Sequence, residues 1–320
     1  MHHVWSLPLA ALTLVGLGQQ PAEESVTPNL ADPATEILGL DEERNNRMTL
    51  PVTIDGTGPY DFMIDTGSQA TAVTHEINEA LSLQTLGTAT LVGMASVRPV
   101  EVVEVDNLKM GSHIFNSVSA PVLNRTHVGA DGIIGLDTLQ DFRVLIDFRD
   151  ETIAVEDVTE KKASTKGFEI VVRARSKLGQ LLITDAVVEG VRATVIIDTG
   201  AQASLGNSAL RDRLRAKREQ EVITTDVNGV TLAGSMSYVR TLSIGGISLR
   251  NVPVTFADAP AFDHLGIQDK PVLSLGMEHL KMFDRVAIDF TRQRVLFDLP
   301  RKVARDLRRA KRNTLGAATK

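Results

Sequence analysis

Short apolar runs separated by turn residues make up most of the chain. Val, Ile and Leu recur in these runs, and Gly-containing turns follow them at Asp55-Gly56, Glu189-Gly190 and Gly245-Gly246. This spacing is typical of β-strands joined by tight turns. Helical patterns are few and brief, and they predict helices at residues 75–81, at residues 208–218, after Gly135 and after Gly276. The pattern therefore predicts a mainly β protein with a few short helices.

One stretch of this pattern occurs twice. Residues 62–70 read FMIDTGSQA and residues 195–203 read VIIDTGAQA, so that six of nine positions are identical. Each copy is followed by a similar apolar element, GIIGL at residues 132–136 and LSLGM at residues 273–277, and later by a strand pattern that ends in Asp-Phe. Self-similarity at a long period indicates a duplicated structural unit. We therefore expect two lobes of similar plan.

Polar stretches between the apolar patterns set the boundaries that we predict. A chain of 320 residues is long enough for two such lobes. Leu7 to Leu17 is an apolar stretch of the length found in signal peptides and is short for a membrane span. The predicted segments are a signal peptide at 1–22, a linker or N-terminal arm at 23–46, the first lobe at 47–156, an inter-lobe linker at 157–167, the second lobe at 168–300 and a basic C-terminal tail at 301–320.

The two Asp-Thr-Gly tripeptides indicate a particular chemistry. A carboxylate at the end of a buried strand, in a turn whose Gly allows close backbone approach, is aimed at one point. If Asp65 and Asp198 meet, they cannot both ionise readily, and they share one proton over a wide pH range. One carboxyl group is then a base and the other an acid, which together activate a water against a peptide carbonyl. The pair predicts peptide hydrolysis without a metal, a cofactor or a covalent intermediate.

From about Met48 to Leu299 the chain resembles the aspartic proteases of the pepsin and retropepsin type. The resemblance rests on both Asp-Thr-Gly turns and on residues 130–136, ADGIIGL, which look very like that family's Asp-Gly-Ile-Leu-Gly-Leu segment. It implies an aspartic endopeptidase with the acid-protease fold: two pseudo-symmetric, closed β-barrel-like lobes with a few short helices. The chain is more similar to two fused retropepsin lobes than to a pepsin.

The resemblance also implies a role for each residue of the two turns. Asp65 and Asp198 are the implied catalytic pair. The residues implied to support them are Thr66 and Thr199, which exchange hydrogen bonds beneath the pair, Gly67 and Gly200, which offer backbone N–H groups, Ser68, whose hydroxyl donates to Asp65, and Ala201. Ala201 has no hydroxyl for Asp198. Fewer donors stabilise an ionised carboxylate less, so we expect Asp198 to be the more easily protonated member.

The family closes a β-hairpin flap over its substrate, and two stretches are candidates for it. They are residues 91–97 in the first lobe and residues 226–234 in the second, where Asn228-Gly229 is a favourable hairpin turn. Neither stretch contains the flap Tyr of pepsins, and each could equally be an ordinary surface hairpin. The candidate cleft and flap residues are Gly93, Met94, Ala95, Asn228, Gly229 and Val230.

Composition narrows the expected partners and location. The net charge of −6 gives no reason to expect nucleic acid, and the scattered His residues lack metal-ligand spacing, so no metal is predicted. The absence of Cys fits a bacterial periplasm or the cytosol better than a disulfide-stabilised secreted domain, and with the apolar N-terminal stretch we expect export to the periplasm. We expect a polypeptide substrate, a monomer with an internal pseudo-dimer, and membrane contact only through the basic tail or an uncleaved N-terminal segment.

Two alternatives stay open from the sequence. The chain could be a non-catalytic peptide-binding protein that keeps a protease-like cleft, or each lobe could pair with its counterpart in another chain, which would leave the tandem unit a scaffold. Linking both lobes in one chain raises their effective concentration for each other, which favours internal pairing. Equal degradation of a mixed peptide library by the protein and by Asp65→Asn, or no cleavage by either across a wide pH range, would count against the protease.

Overall fold

The fold is mainly β and two-lobed, as predicted. The computed structural model describes residues 35–39, 41–42, 48–157, 165–214, 219–305, 307 and 309. The predicted signal peptide lies outside the described residues, as do much of the predicted arm, inter-lobe linker and basic tail. Residues 301–305, at the start of that tail, are helical.

The first half of the chain supplies strands β1 to β13 and helices α1 to α3. The strands are β1 (Thr35–Gly39), β2 (Asp41–Glu42), β3 (Met48–Ile54), β4 (Thr57–Ile64), β5 (Ala72–Thr74), β6 (Gln84–Val92), β7 (Val97–Val105), β8 (Leu108–Met110), β9 (His113–Phe115), β10 (Val118–Leu123), β11 (Gly132–Ile134), β12 (Phe142–Asp147) and β13 (Thr152–Asp157). The helices are α1 (His75–Leu81), α2 (Arg125–Val128) and α3 (Leu136–Leu139).

The second half supplies strands β14 to β24 and helices α4 to α6. The strands are β14 (Ile170–Arg173), β15 (Arg175–Lys177), β16 (Gln180–Val188), β17 (Val191–Ile197), β18 (Leu205–Gly206), β19 (Gln220–Thr225), β20 (Thr231–Ile244), β21 (Ile247–Phe256), β22 (Val272–Leu275), β23 (Arg285–Asp289) and β24 (Arg294–Asp298). The helices are α4 (Ser208–Arg211), α5 (Pro260–His264) and α6 (Met277–Leu280).

Each lobe is built on one large sheet with the same central arrangement. The first sheet has the order β6-β7-β10-β5-β11-β4-β3-β8-β9, with β2 on β3, and the second has the order β15-β16-β17-β22-β18-β21-β20-β19. In the second sheet β16 also pairs with β20, which curls the sheet back on itself. In the centre, β11 lies parallel to β4 and antiparallel to β5, and β22 lies parallel to β17 and antiparallel to β18. The sequence repeat is therefore a structural repeat.

A third sheet joins the two halves of the chain. Its order is β1-β13-β12-β23-β24-β14, so three strands of the first half of the chain lie beside three strands of the second half. The two strands that end in the repeated Asp-Phe, β12 and β23, pair with each other, and Leu145 lies opposite Ala287. Both of these residues are buried. Strand β1, which falls within the predicted N-terminal arm, forms the edge of this sheet against β13.

Two-residue turns close several hairpins where the sequence predicted them. Asp55 and Gly56 connect β3 to β4 with φ values of 48° and 76°, and Glu189 and Gly190 connect β16 to β17 with 46° and 86°. Positive φ at both central residues matches the twist of the flanking strands, and glycine adopts it without steric cost. These turns set the register that places apolar residues inside each lobe.

The helices follow the sequence prediction in part. Helix α1 spans the predicted residues, but the Thr74 hydroxyl makes no capping hydrogen bond. Helix α4 ends at Arg211, before the predicted end, while residues 215–218 lie outside the described part of the chain. Helices α2 and α5 were not predicted. Among the helices of the described residues, none has the length and apolar character needed to cross a membrane.

Candidate active site

Both Asp-Thr-Gly turns begin at the carboxyl end of a central strand. Asp65 follows β4 and Asp198 follows β17. The parallel neighbour of each strand accepts a hydrogen bond from the aspartate backbone. The Asp65 N–H donates to the Ile134 carbonyl, and the Asp198 N–H donates to the Leu275 carbonyl, both at 3.1 Å. Equivalent backbone contacts therefore hold the two turns.

The two threonines join the turns beneath the carboxylates. The Thr66 N–H donates to Thr199 Oγ1 at 3.0 Å, and the Thr199 N–H donates to Thr66 Oγ1 at 3.2 Å. Each hydroxyl also donates to the opposite lobe, Thr66 to the Ile197 carbonyl and Thr199 to the Ile64 carbonyl, both at 2.8 Å. The Gln180 side chain adds a buried donor to the Thr66 carbonyl at 2.8 Å, which the sequence did not indicate. This network fixes one turn against the other.

Each carboxylate lies against the glycine of the opposite turn. A methyl group on Gly67 would lie 2.7 Å from Asp198 Oδ1, and a methyl group on Gly200 would overlap the Asp65 carboxyl group. Only glycine permits so close an approach. The two carboxylates therefore lie together at the junction of the lobes, and Asp198 is buried there.

A comparison with protein families matches the same two regions. A family model described as aspartyl protease matches residues 50–138 and 184–279, which together make up more than half of the chain. Each region contains one Asp-Thr-Gly turn and the strand parallel to it. The chain belongs to the aspartyl protease family. This result confirms the resemblance seen in the sequence. A search of curated proteins found no match to the chain.

In this aspartyl protease, backbone N–H groups of each turn hold one carboxylate oxygen. The N–H groups of Gly67 and Ser68 donate to Asp65 Oδ1 at 2.7 and 3.0 Å. The N–H of Ala201 donates to Asp198 Oδ1 at 3.0 Å. The two turns thus orient their carboxylates by the same kind of contact.

The side-chain donors to the two carboxylates differ from the expectation. The resemblance implied that the Ser68 hydroxyl donates to Asp65, but this hydroxyl donates to the Ala70 carbonyl at 2.8 Å instead. A hydroxyl has one proton to donate, so this bond uses it. The carboxylate that receives a hydroxyl donor is Asp198, from Ser274 Oγ to Oδ2 at 2.8 Å. The expected contrast between Ser68 and Ala201 is therefore wrong, because the Ser68 hydroxyl bonds Ala70 and not Asp65.

The two candidate flaps meet at their tips. One tip connects β6 to β7 and the other connects β19 to β20, and the buried Asp226 carboxylate joins them. Asp226 Oδ2 accepts hydrogen bonds from Ser96 Oγ at 2.6 Å and from the Ala95 N–H at 3.2 Å. Its Oδ1 accepts from the N–H groups of Asn228 and Val230, at 2.9 and 3.0 Å, within its own tip. The Asn228 amide also donates to Ser96 Oγ, at 2.9 Å.

Each tip also packs against the opposite lobe. Met94 packs against an apolar cluster of the second lobe that contains Ile196, two residues before Asp198. Val227 packs against a cluster of the first lobe that contains Met63, two residues before Asp65. The two remaining candidates also lie at cross-lobe contacts: a methyl group on Gly93 would lie 2.6 Å from Asp226 Oδ2, and one on Gly229 would overlap the His127 ring. The structure thus brings five of the six predicted flap residues to contacts between the lobes, while the Val230 N–H bonds Asp226 within its own tip.

We predict that removing the Ser96 hydroxyl loosens the contact between the tips. Ser96→Ala deletes the hydrogen bond to Asp226 and leaves each hairpin's own bonds in place, so amide exchange at Ala95 should accelerate about tenfold. Ser243→Ala is the control, because its hydroxyl bonds Ser248 within one hairpin. Hydrogen exchange measured by NMR or mass spectrometry tests this, and unchanged exchange at both tips in Ser96→Ala would refute it.

A buried histidine supports the strand beneath the second turn. The Ser204 hydroxyl accepts a hydrogen bond from the Gly276 N–H at 3.0 Å and lies 2.8 Å from His279 Nδ1. His279 is 2% exposed, and its burial lowers the pKa of the imidazole below the ordinary value of 6.5. Because the unfolded chain then binds a proton that the folded chain does not, His279 reduces stability as the pH falls below 6.5.

We predict that His279→Gln makes the free energy of unfolding less dependent on pH. The amide can still bond Ser204 but takes up no proton, so the free energy of unfolding should depend less on pH just below 6.5. His75→Gln, at an exposed position on α1, should leave the dependence as it is. Chemical denaturation across a pH series measures both, and equal slopes for His279→Gln and the unaltered protein would contradict the prediction.

Proposed function

We propose that this aspartyl protease is an endopeptidase in which a water between Asp65 and Asp198 attacks a peptide bond. One observation carries the proposal: each carboxylate lies against the glycine of the opposite turn, above the reciprocal threonine bonds. Two carboxyl groups held together in this way share one proton, because ionising both places like charges side by side. The ionised group then removes a proton from the water while the protonated group polarises the peptide carbonyl.

The hairpin tips and the clusters beneath them support an extended polypeptide as the substrate. An extended peptide can add its backbone to the edges of the hairpins, and apolar side chains on both sides of the cut bond would find apolar clusters. Met63 and Ile133 belong to the cluster beside Asp65, and Ile196 and Leu205 belong to the cluster beside Asp198. Because Met94 and Val227 of the tips pack against these clusters, substrate entry requires the tips to move apart.

Cleavage of a mixed peptide library by the full chain tests the proposal. We expect internal cuts, with apolar residues on both sides of the cut, over a range from acidic to neutral pH. The products, identified by mass spectrometry, should be unaffected by a metal chelator. A library that stays intact at every pH while still binding to the protein would instead favour the non-catalytic peptide-binding alternative.

We also propose that the chain is exported to a bacterial periplasm and acts as a monomer. The apolar stretch from Leu7 to Leu17 supports export, and the absence of Cys fits the periplasm better than a disulfide-rich extracellular setting. Hydrogen bonds between Thr66 and Thr199 of the same chain support a single-chain site. Cell fractionation with N-terminal sequencing tests the location, and retention of the whole N-terminus in the cytoplasm would exclude it.

A further inference from the structure

A buried serine contacts the second carboxylate and has no equivalent in the first lobe. Ser274 lies on β22, is 2% exposed, and donates from Oγ to Asp198 Oδ2 at 2.8 Å. It pairs with Ile196, as Ile133 on β11 pairs with Met63 in the first lobe. Since both partners stand two residues before the aspartate, Ser274 and Ile133 occupy the same place in the repeat. An isoleucine side chain has no polar atom, so Ile133 cannot supply this donor to Asp65.

The surroundings of Ser274 would suit an apolar side chain. Its neighbours across the sheet are Ile196 and Leu205, and the adjacent residues Leu273 and Leu275 are buried as well. A buried hydroxyl is costly unless it makes a hydrogen bond. The Asp198 carboxylate satisfies this one, so the serine is matched to the carboxylate and not to the apolar packing around it.

We infer that Ser274 is a positioning residue that keeps Asp198 the ionised member of the pair, so that the shared proton resides on Asp65. The inference rests on the proposed endopeptidase function. Donors from Ala201 and Ser274 hold the two different oxygens of Asp198 and fix the plane of its carboxylate. A hydroxyl donor favours the ionised form of the carboxylate that accepts it.

This assignment gives each carboxyl group one role in each half of the reaction. In the first half, Asp198 removes a proton from the water while the oxygen of the water bonds to the peptide carbon. At the same time, Asp65 gives its proton to the carbonyl oxygen. In the second half, Asp198 gives that proton to the amide nitrogen as the C–N bond breaks. Asp65 takes a proton back from the tetrahedral intermediate, so the pair returns to its starting state with one proton on Asp65.

The pH profile of Ser274→Ala tests the inference. Without the hydroxyl donor the ionised form of Asp198 is less favoured, so the acidic limb of kcat/KM should move to higher pH by about one unit. Ser274→Thr, which keeps the hydroxyl, should restore the limb toward its original position. Ser204→Ala is the matched control, because it removes a buried hydroxyl of the same lobe that bonds Gly276 and His279. Ser204→Ala should not shift the acidic limb of kcat/KM, even if the variant has a lower Tm.

A second measurement tests Ser274 without any turnover. The difference in Tm between the unaltered protein and Ser274→Ala should grow as the pH rises through the titration of Asp198, because the lost bond is made to the ionised form. In an Asp198→Asn background the difference should not vary with pH. An unshifted acidic limb in an active Ser274→Ala enzyme, or a Tm difference independent of pH, overturns the inference. An unaltered protein that cleaves no peptide overturns the proposed function but leaves the Tm measurement decisive for Ser274.

Discussion

Asp65→Asn and Asp198→Asn should each reduce peptide cleavage by about 10³-fold or more while leaving the fold intact. Asparagine has almost the shape of aspartate, but it neither accepts a proton from water nor donates an acidic one. Either substitution therefore removes one of the two roles that the pair divides. Since the two carboxyl groups act as a unit, the double variant should be scarcely less active than either single variant.

The matched control for this prediction is Asp185→Asn. Asp185 is exposed, with its side chain 85% accessible, and its nearest charged partner is the equally exposed Arg192 at 3.9 Å. Exposed ion pairs contribute little to stability. Cleavage of one library-derived peptide should thus be unchanged in Asp185→Asn. If Asp65→Asn or Asp198→Asn retained activity close to that of the control, the carboxylate pair would not be the catalytic centre.

Thr199→Val should destabilise the protein by about 3 kcal/mol. The substitution keeps the shape of the side chain but removes the donor to the Ile64 carbonyl and the acceptor of the Thr66 N–H. Two buried backbone groups then lose their partners, and each such loss costs about 1–3 kcal/mol. Because these bonds cross between the lobes, the same change should also lower kcat by disturbing the alignment of the two carboxylates.

Thr74→Val is the matched control, because it makes the same chemical change at a buried threonine that does not bond across the lobes. The Thr74 side chain is fully buried, and its hydroxyl has no hydrogen-bond partner among the residues that the structure describes. Removing an unsatisfied hydroxyl should leave stability unchanged or raise it by about 1 kcal/mol. Urea denaturation of both variants measures the contrast. Equal free energies of unfolding for the two variants would show that the threonine bonds do not hold the lobes together.

Local sequence patterns predicted the elements whose causes are local. The Asp55-Gly56 and Glu189-Gly190 turns close hairpins because their residues adopt positive φ, which depends little on the rest of the chain. The duplicated turns led to Asp65 and Asp198 for a similar reason, since each follows its own apolar strand. Helix α5 also has a local signal in Pro260 at its first turn, but five residues are too few for a helical period in the sequence.

Features that depend on how the lobes meet could not be predicted. The pairing of β12 with β23 joins two segments that look alike in sequence, and nothing in either segment indicates that its partner is the other copy. The bond between Ser96 and Asp226 likewise requires both hairpins in place. In the sequence, Ser274 is only a mismatch with Ile133, the residue at the same position of the first repeat. Its hydrogen bond to Asp198 is visible only in the structure.

Mixing the two inactive variants tests the central claim, that one chain supplies both carboxylates of one site. Equal amounts of Asp65→Asn and Asp198→Asn, unfolded and refolded together, should cleave no more peptide than either variant alone. The reason is that each chain would pair its own two lobes and carry one inactive carboxyl position. Recovery of activity in the mixture would mean that the first lobe of one chain pairs with the second lobe of another. Activity in either variant measured by itself would mean that like lobes pair between chains. Both of these results would contradict the single-chain site.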